Sequence, residues 1–243
     1  MLERGEKIKL QKYLQLCGYA RRKADIIIFS GRIKVNNKVV KEPWYEVKNS
    51  DVVSLDNQKL TSNNFEYYAL HKPKGYVTTL YDPKEKKTIK EFFKDKPLKV
   101  AGRLDKDATG VLILTNDGEL INILTSAKYR VKKVYIVKVK GKINFKELLT
   151  LKKGIWDNGE FLRLEYFEIL DVGFNYSTVK VEMIKGKKHE VKRLFKNINH
   201  EVLELKRISH GPIDISFVPN PGDIKEIKGK LLKKLLKLKE RKA

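Results

Sequence analysis

The chain has 243 residues, of which 41% are hydrophobic, so it can bury one large core or two smaller ones. Its 53 Lys and Arg residues against 30 Asp and Glu residues give a formal net charge of +23, which favours a polyanionic partner such as nucleic acid. A lysine-rich proteome would explain many lysines, but not the shortage of acids. The single cysteine, Cys17, excludes an internal disulfide framework and a cysteine metal cluster.

The sequence shows no segment typical of membrane insertion or of export. Its longest apolar runs have about four residues, whereas roughly 20 are needed to cross a bilayer. We recognise no signal peptide ahead of the first predicted element. We therefore expect a soluble, cytoplasmic protein that makes no contact with a membrane.

The first 60 residues predict a compact unit of two helices and a hairpin, in which apolar residues recur at helical spacing and then alternate. The second helix would end at Gly31, a natural C-cap. The predicted elements are two helices, a hairpin around Asn36 and Asn37, and one further strand: 8–18, 21–29, 32–40 and 51–55.

A polar stretch at 60–65 separates this unit from the rest of the chain and suits a short linker. We therefore predict one domain of residues 1–62 and a second of residues 63–243. A strand over 66–70 then enters the sequence HKPKGY, whose proline and glycine predict a fixed turn. Since His71 has no partner at a metal-ligand spacing, we expect a structural role for it.

A short apolar run, VLIL at 111–114, is typical of a strand that is buried on both faces. It would hold the preceding loop, 102–109, in a fixed position. This loop places Arg103 beside Asp105 and Asp107, and a carboxylate kept ionised by a nearby cation can act as a nucleophile or a general base. The alternative is that both aspartates serve turn hydrogen bonds and the arginine is a surface cation.

The second half of the chain predicts a mixed, mainly antiparallel sheet, and the protein is therefore expected to be α+β. Tyr135, Val137 and Val139 share one face of a strand over 133–140. A helix capped by Asp117 is expected after the central strand. The other expected elements are two strands (161–171 and 177–185), a helix (186–195), a further strand (200–208) and a basic amphipathic tail helix from residue 227 onward. Because the tail lacks aromatic anchors, a membrane-surface role for it is the weaker interpretation.

The sequence GRLDKDATGVLILTNDGEL, at 102–120, resembles the signature of the RsuA/RluB family of ribosomal RNA pseudouridine synthases. In that family the Asp of GRLD is catalytic, which implies this role for Asp105. HKPKG resembles the family's first motif. Lys133-x-Tyr135 resembles the motif that supplies an active-site tyrosine, which implies that Tyr135 stacks on a flipped uracil and assists a proton transfer.

GKKHEVKRLF, at 186–195, resembles a further motif of this family, in which a basic residue contacts the catalytic Asp. By position that residue is Lys192, and an ion pair with Asp105 would keep the carboxylate charged. Otherwise Lys192 is one more exposed helix lysine. Two residues depart from the family pattern: Lys187 replaces the usual Arg but can still pair with phosphate, and Glu190 replaces the common Gln and adds a negative charge near the expected RNA surface.

LQKYLQLCGYARRKADIIIFSGRIKVNNKVV, at 10–40, resembles the ribosomal-protein-S-four-like RNA-binding module. In that module the second helix and the hairpin present cations to structured RNA, and cations there can bind phosphates without reading base sequence. The resulting RNA-binding candidates comprise five cations in the first domain and two in the second: Arg21, Arg22, Lys23, Arg32, Lys34, Arg103 and Lys187.

These resemblances imply site-specific isomerisation of uridine to pseudouridine in ribosomal RNA, either free or within an assembly intermediate. LHKPKGYVTT and KYRVKKVYIVKVKG are closer to the RluB branch, which implies large-subunit RNA; small-subunit RNA is the alternative. A non-catalytic RNA-binding assembly protein gives no reason for Asp105, Tyr135 and Lys192 to occur together. An RNA methyltransferase should show a glycine-rich cofactor loop, which the sequence lacks. We expect a monomer that uses no cofactor and no metal.

Overall fold

The computed structural model describes residues 7–61, 64–93 and 96–240. The chain separates into two compact units, residues 1–66 and residues 67–243. Residues 62 and 63 of the predicted linker lie outside the described residues, so the domain boundary after residue 62 stays a prediction.

The first unit contains two helices and two small sheets around a shared apolar core. Its elements in chain order are β1 (Lys7–Lys9), α1 (Leu10–Leu16), α2 (Arg21–Phe29), β2 (Ile33–Val35), β3 (Lys38–Val39), β4 (Glu46–Lys48), β5 (Val53–Leu55) and β6 (Gln58–Lys59). β1 pairs with β4, and the second sheet has the order β3-β2-β5-β6. The helices bury Leu10, Leu14 and Ile28 in the same core as Ile33 and Val53 of this sheet.

The hairpin of the first unit is confirmed, and the first helix is shorter than predicted. Asn36 and Asn37 link β2 to β3 with φ angles of 50° and 66°, the left-handed values that a two-residue hairpin turn requires. The helix predicted over 8–18 begins only at Leu10, because residues 7–9 pair with β4 as a strand. Backbone pairing there overrides the helical spacing of the side chains.

The second unit is built on one large sheet of the order β13-β14-β10-β15-β9-β7-β17, with β8 paired to β9 and β16 paired to β15. Its strands are β7 (Tyr67–Lys72), β8 (Lys99–Ala101), β9 (Thr109–Thr115), β10 (Lys133–Lys140), β11 (Ile155–Asp157), β12 (Glu160–Leu162), β13 (Tyr166–Val172), β14 (Tyr176–Met183), β15 (Val202–His210), β16 (Ile213–Asp214) and β17 (Ile224–Glu226). Its helices are α3 (Gly118–Thr125), α4 (Phe145–Lys153), α5 (Glu190–Asn197) and α6 (Gly229–Leu236). The predicted α+β class is confirmed.

The apolar run of β9 forms the centre of this sheet. Residues 110–115 are all buried, and the strand lies antiparallel to β7 on one side and parallel to β15 on the other. One face of the sheet is covered by α4 and α5, and the apolar residues of this core include Leu112, Leu114, Val137, Val139, Leu148, Leu151, Leu194 and Phe195. Among the described residues, no helix is long and apolar enough to cross a membrane.

Two predictions for the second unit need correction, and one helix was not predicted. The strand predicted over 161–171 is two strands, because the chain leaves the sheet at Leu164, whose N–H donates to the carbonyl of Leu151 at 3.0 Å. The helix predicted from residue 186 begins only at Glu190, and the strand predicted over 200–208 is β15. We did not predict α4, although its capping box of Asn144 and Glu147 is a sequence signal.

We expect Gly110→Ala to lower the free energy of unfolding by about 3 kcal/mol or more. An added Cβ would lie 2.1 Å from the backbone oxygen of Arg207 on β15, and the φ of +116° disfavours any side chain. The matched control is Gly186→Ala, where no atom lies within 4 Å of the added Cβ. Urea unfolding measures both variants, and equal midpoints would contradict the close approach of β9 and β15.

Candidate active site

The loop that carries Asp105, residues 102–108, connects β8 to β9, and a buried lysine holds its backbone in place. Lys72, at the end of β7, is fully buried. Its Nζ donates hydrogen bonds to three backbone carbonyls, two of which belong to the loop, those of Lys106 at 3.3 Å and Ala108 at 2.6 Å. Because these residues lie one and three positions after Asp105, the lysine fixes the backbone on that side.

A buried threonine fixes the other side of Asp105. The Oγ1 of Thr78 donates to the carbonyl of Leu104 at 2.6 Å and accepts from the N–H of Leu104 at 3.2 Å. The N–H of Ala108 donates to the carbonyl of Asp105 itself at 3.1 Å. The backbone is therefore held before, at and after Asp105, which gives its carboxylate a defined position.

The carboxylate of Asp105 lies between a lysine and a histidine from the start of α5. It is 26% exposed, with Nζ of Lys192 at 3.4 Å from Oδ2 and Nε2 of His189 at 3.5 Å from Oδ1. Lys192 thus lies near Asp105 as the resemblance implies. Its shortest contacts, however, are the 2.7 Å hydrogen bonds that Nζ donates to both oxygens of Asp107. Lys192 bridges the two aspartates of the loop.

This arrangement favours the charged forms of Asp107 and Lys192. Partial burial raises the pKa of Asp107, but the hydrogen bond and positive charge of Lys192 outweigh this effect and hold it below its ordinary value. Burial also lowers the pKa of Lys192, but Asp107 and Asp105 reverse this and raise it. Lys192 is therefore shared between the carboxylates of Asp105 and Asp107.

Arg103 does not have the position relative to the carboxylates that the sequence suggests. We expected it to be the cation beside Asp105 and Asp107, but it is exposed and has no carboxylate within ion-pair distance in the described part of the chain. Lys192 takes that place, and Arg103 lines the rim of the same cleft. Its guanidinium is therefore accessible to an anionic ligand.

A cleft above the Asp105 loop brings together the site residues predicted for the second domain. Its lining includes Arg103, Asp105, Tyr135, Lys187, His189 and Lys192. Tyr135 projects from β10 and is 8% exposed, beside the apolar side chains of Met183 and Leu205. An apolar and aromatic floor next to a carboxylate, with cations at the rim, suits a flat base attached to a phosphodiester chain.

The turn before α5 explains the glutamate that departs from the family pattern. His189 adopts a left-handed backbone with φ 52°, and Glu190 behind it is buried. The N–H of Lys187 donates to Oε2 of Glu190 at 2.9 Å, and burial raises the pKa of Glu190. Glu190 is therefore buried rather than exposed on the expected RNA surface, and its side chain closes the turn that presents Lys187 and His189.

The predicted cations of the first unit fall into two groups. Three are exposed at the start of α2: Arg21, Arg22 and Lys23. Arg32 instead pairs with Asp56, and Lys34 donates a hydrogen bond to Oδ1 of Asn57 at 2.9 Å. Cations at a helix N-terminus oppose the helix dipole, and a bound phosphate would relieve this repulsion.

Comparison with known proteins identifies the family. A family model described as RNA pseudouridylate synthase matches residues 66–197, more than half of the chain. The chain belongs to this family. Residues 8–53 match the model of the S4 domain. Both domain types that the sequence motifs predicted are thereby confirmed, and the protein is a pseudouridine synthase.

The similarity to relatives extends over nearly the whole chain. The ribosomal large subunit pseudouridine synthase B of Bacillus subtilis is 36% identical over 233 residues, which cover 93% of this chain and 95% of that protein. The ribosomal small subunit pseudouridine synthase A of Pseudomonas aeruginosa is 31% identical over 219 residues, which cover 88% and 94%. A crystal structure of a pseudouridylate synthase has a TM-score of 0.66 at 28% identity and covers 94% of this chain and 99% of that one.

Sequence reasoning missed three residues of this synthase's site. Lys72 was interpreted only as part of a turn, although a lysine that ends the apolar strand YYALHK is a visible signal. Thr78 gave no signal, since its partner Leu104 lies 26 residues away. His189 was quoted within its motif without a role. In the described part of the chain, no group of His, Cys, Asp and Glu side chains could hold a metal ion.

The buried ammonium group of Lys72 predicts a pH dependence of stability. Burial lowers its pKa from 10.5 to about 8. Between these values the unfolded chain binds a proton that the folded protein has lost, so the free energy of unfolding should rise with pH. Lys72→Met should reduce this rise but not abolish it, because burial also lowers the pKa of Lys133 to about 8.

Urea unfolding of wild type and Lys72→Met at about pH 8 and about pH 10 measures, for each protein, the increment in the free energy of unfolding between the two pH values. Lys146→Met is the matched control, because Lys146 is exposed on α4 and should leave the increment unchanged. Equal increments in wild type and Lys72→Met would mean that Lys72 is not buried as a cation.

Proposed function

We propose that this pseudouridine synthase isomerises a specific uridine of large-subunit ribosomal RNA, with Asp105 as its catalytic carboxylate. The observation that carries this proposal is the position of Asp105, which lies on a loop with a fixed backbone in a cleft that Lys192 and Tyr135 also line. The relative named for the large ribosomal subunit supports the choice of RNA, because its identity is the higher of the two named relatives.

The target nucleotide has to leave its stack before Asp105 can reach it, at a cost of a few kcal/mol. Phosphate contacts can offset this cost, and the exposed Arg103 and the half-buried Lys187 lie at the rim of the cleft for that purpose. Arg103 can instead fill the space that the nucleotide leaves. The exposed cations of α2 contribute further phosphate contacts in the first unit, so the S4 domain supplies affinity and the cleft supplies chemistry.

In the reaction the bond between N1 of uracil and C1′ of the ribose breaks, and a bond between C5 and C1′ forms. Asp105 attacks the sugar or the base, or assists departure of the base, with Lys192 beside its carboxylate. Any bond that the carboxylate forms to the nucleotide breaks again before the product leaves, which restores Asp105. The uracil turns within the cleft, stacked on Tyr135, which assists removal of the proton from C5; N1 ends protonated. Since no electron or group leaves the nucleotide, the reaction needs no cofactor.

Small-subunit ribosomal RNA is the second candidate substrate. It is supported by the Pseudomonas aeruginosa relative, whose identity is only slightly lower. The cleft does not distinguish the two, because the same carboxylate would act on either RNA. We further propose that the protein acts as a monomer, on free RNA or on an assembly intermediate.

Asp105→Asn should reduce pseudouridine formation by about 1,000-fold or more, because an amide can neither attack nor carry the negative charge. Asp107→Asn is the matched control: it makes the same change in the same loop, to a second partner of Lys192. It should cost about tenfold at most, since Asp107 only helps to hold the lysine. Purified protein and unmodified ribosomal RNA transcripts, assayed for pseudouridine, measure both effects.

RNA binding should not weaken in either variant, because both changes remove a negative charge from the RNA-binding side. Equal losses of activity in Asp105→Asn and Asp107→Asn would contradict a special role for Asp105. Wild-type protein that binds the transcripts but modifies no uridine in them would contradict the proposed substrate.

A further inference from the structure

The last helix presents a stripe of lysines that the catalytic cleft does not use. Four exposed lysines of α6 and its continuation are spaced at i, i+3, i+4 and i+7, which places them on one helical face: Lys230, Lys233, Lys234 and Lys237. Across the described residues, none of the four has a carboxylate within ion-pair distance, whereas their neighbours Lys228 and Lys239 do. Like charges at this spacing repel one another.

The opposite face of the same helix is already occupied by the second unit. Leu235 and Leu238 are buried. Leu238 packs beside Gly211, because a Cβ built on this glycine would lie in ordinary van der Waals contact, 3.5 Å from Cδ1 of Leu238. Lys239 forms an ion pair with the fully buried Asp117 at the start of α3. The apolar side of α6 is therefore not available to a lipid surface.

Two further cations face the lysine stripe across a groove. Arg130 and Lys132 line this groove together with Lys234 and Lys237, over a floor that includes Pro212. Arg130 lies 3.6 Å from Glu165 and Lys132 lies 2.7 Å from Glu182, and both cations are more than 60% exposed. Exposed ion pairs of this kind contribute little free energy, so a phosphate can replace either carboxylate.

We propose that these six cations form a second RNA-binding surface, which we call the C-terminal basic surface: Arg130, Lys132, Lys230, Lys233, Lys234 and Lys237. None of them lines the catalytic cleft. The surface binds the phosphodiester backbone of the substrate RNA outside the nucleotide that is modified. Cations on both walls of a groove fit a polyanionic chain, and release of counterions from that chain supplies the affinity. This inference rests on the proposed RNA substrate.

The test compares two variants that each remove three exposed helix lysines. Lys233→Gln/Lys234→Gln/Lys237→Gln alters the C-terminal basic surface, and Lys146→Gln/Lys152→Gln/Lys153→Gln alters α4 and serves as the control of equal charge. Binding of a large-subunit ribosomal RNA transcript is measured over a range of salt concentrations. Thermal unfolding confirms that both variants fold, and Arg130→Gln/Lys132→Gln tests the other wall of the groove.

We expect the α6 variant to bind RNA about tenfold or more weakly at about 0.15 M salt, and its salt slope to fall by about two to three. The control should change binding by less than about twofold, and turnover at saturating RNA should be unchanged in both. The variant Arg130→Gln/Lys132→Gln should also weaken binding more than the control does.

Equal weakening by the α6 and α4 variants would overturn the proposal, because only overall charge would then matter. Unchanged RNA binding by the α6 variant would also overturn it, and would point to a membrane surface if that variant alone lost binding to phosphatidylserine vesicles. These results differ from those expected if the proposed function were wrong. In that case wild-type protein would form no pseudouridine, whether or not α6 contributes to RNA binding.

Discussion

The buried ammonium group of Lys72 is the contact on which the geometry of the active site depends. A cation without water is costly unless it is hydrogen-bonded, and here three carbonyls satisfy it, two of them from the loop that follows Asp105. The same bonds therefore stabilise the lysine and position the loop. Since Lys72 ends β7, which pairs with β9 over six residues, the sheet itself fixes the position of the Asp105 carboxylate.

The charges of the site follow from that fixed loop. Lys192 reaches two carboxylates rather than one, so a single ammonium group is shared by Asp105 and Asp107. The turn before α5, closed by the buried Glu190, places His189 and Lys187 on the same side of the cleft. The cations proposed to bind RNA lie further out, on the rim of the cleft and on α6. Phosphate contacts there can provide affinity without disturbing the chemistry.

Local signals predicted much of this structure, and long-range contacts account for what they missed. The run VLIL identified β9, the alternation of Tyr135, Val137 and Val139 identified a buried strand face, and two asparagines identified the first hairpin. The family motifs predicted Asp105, Tyr135 and Lys192, which the fold brings to one cleft. The contact of Lys192 with Asp107 joins residues 85 positions apart, and that of Lys72 with Ala108 spans 36. No local pattern specifies such pairs.

Pseudouridine mapping of both ribosomal RNAs in cells that lack this protein, then complemented with wild type or Asp105→Asn, tests the central claim most directly. The account predicts that deletion removes one pseudouridine from large-subunit RNA, that wild type restores it, and that the variant, present at the same level, does not. If the variant restored the modification, or if no uridine in either RNA changed on deletion, the role assigned to Asp105 and its RNA substrate would be contradicted.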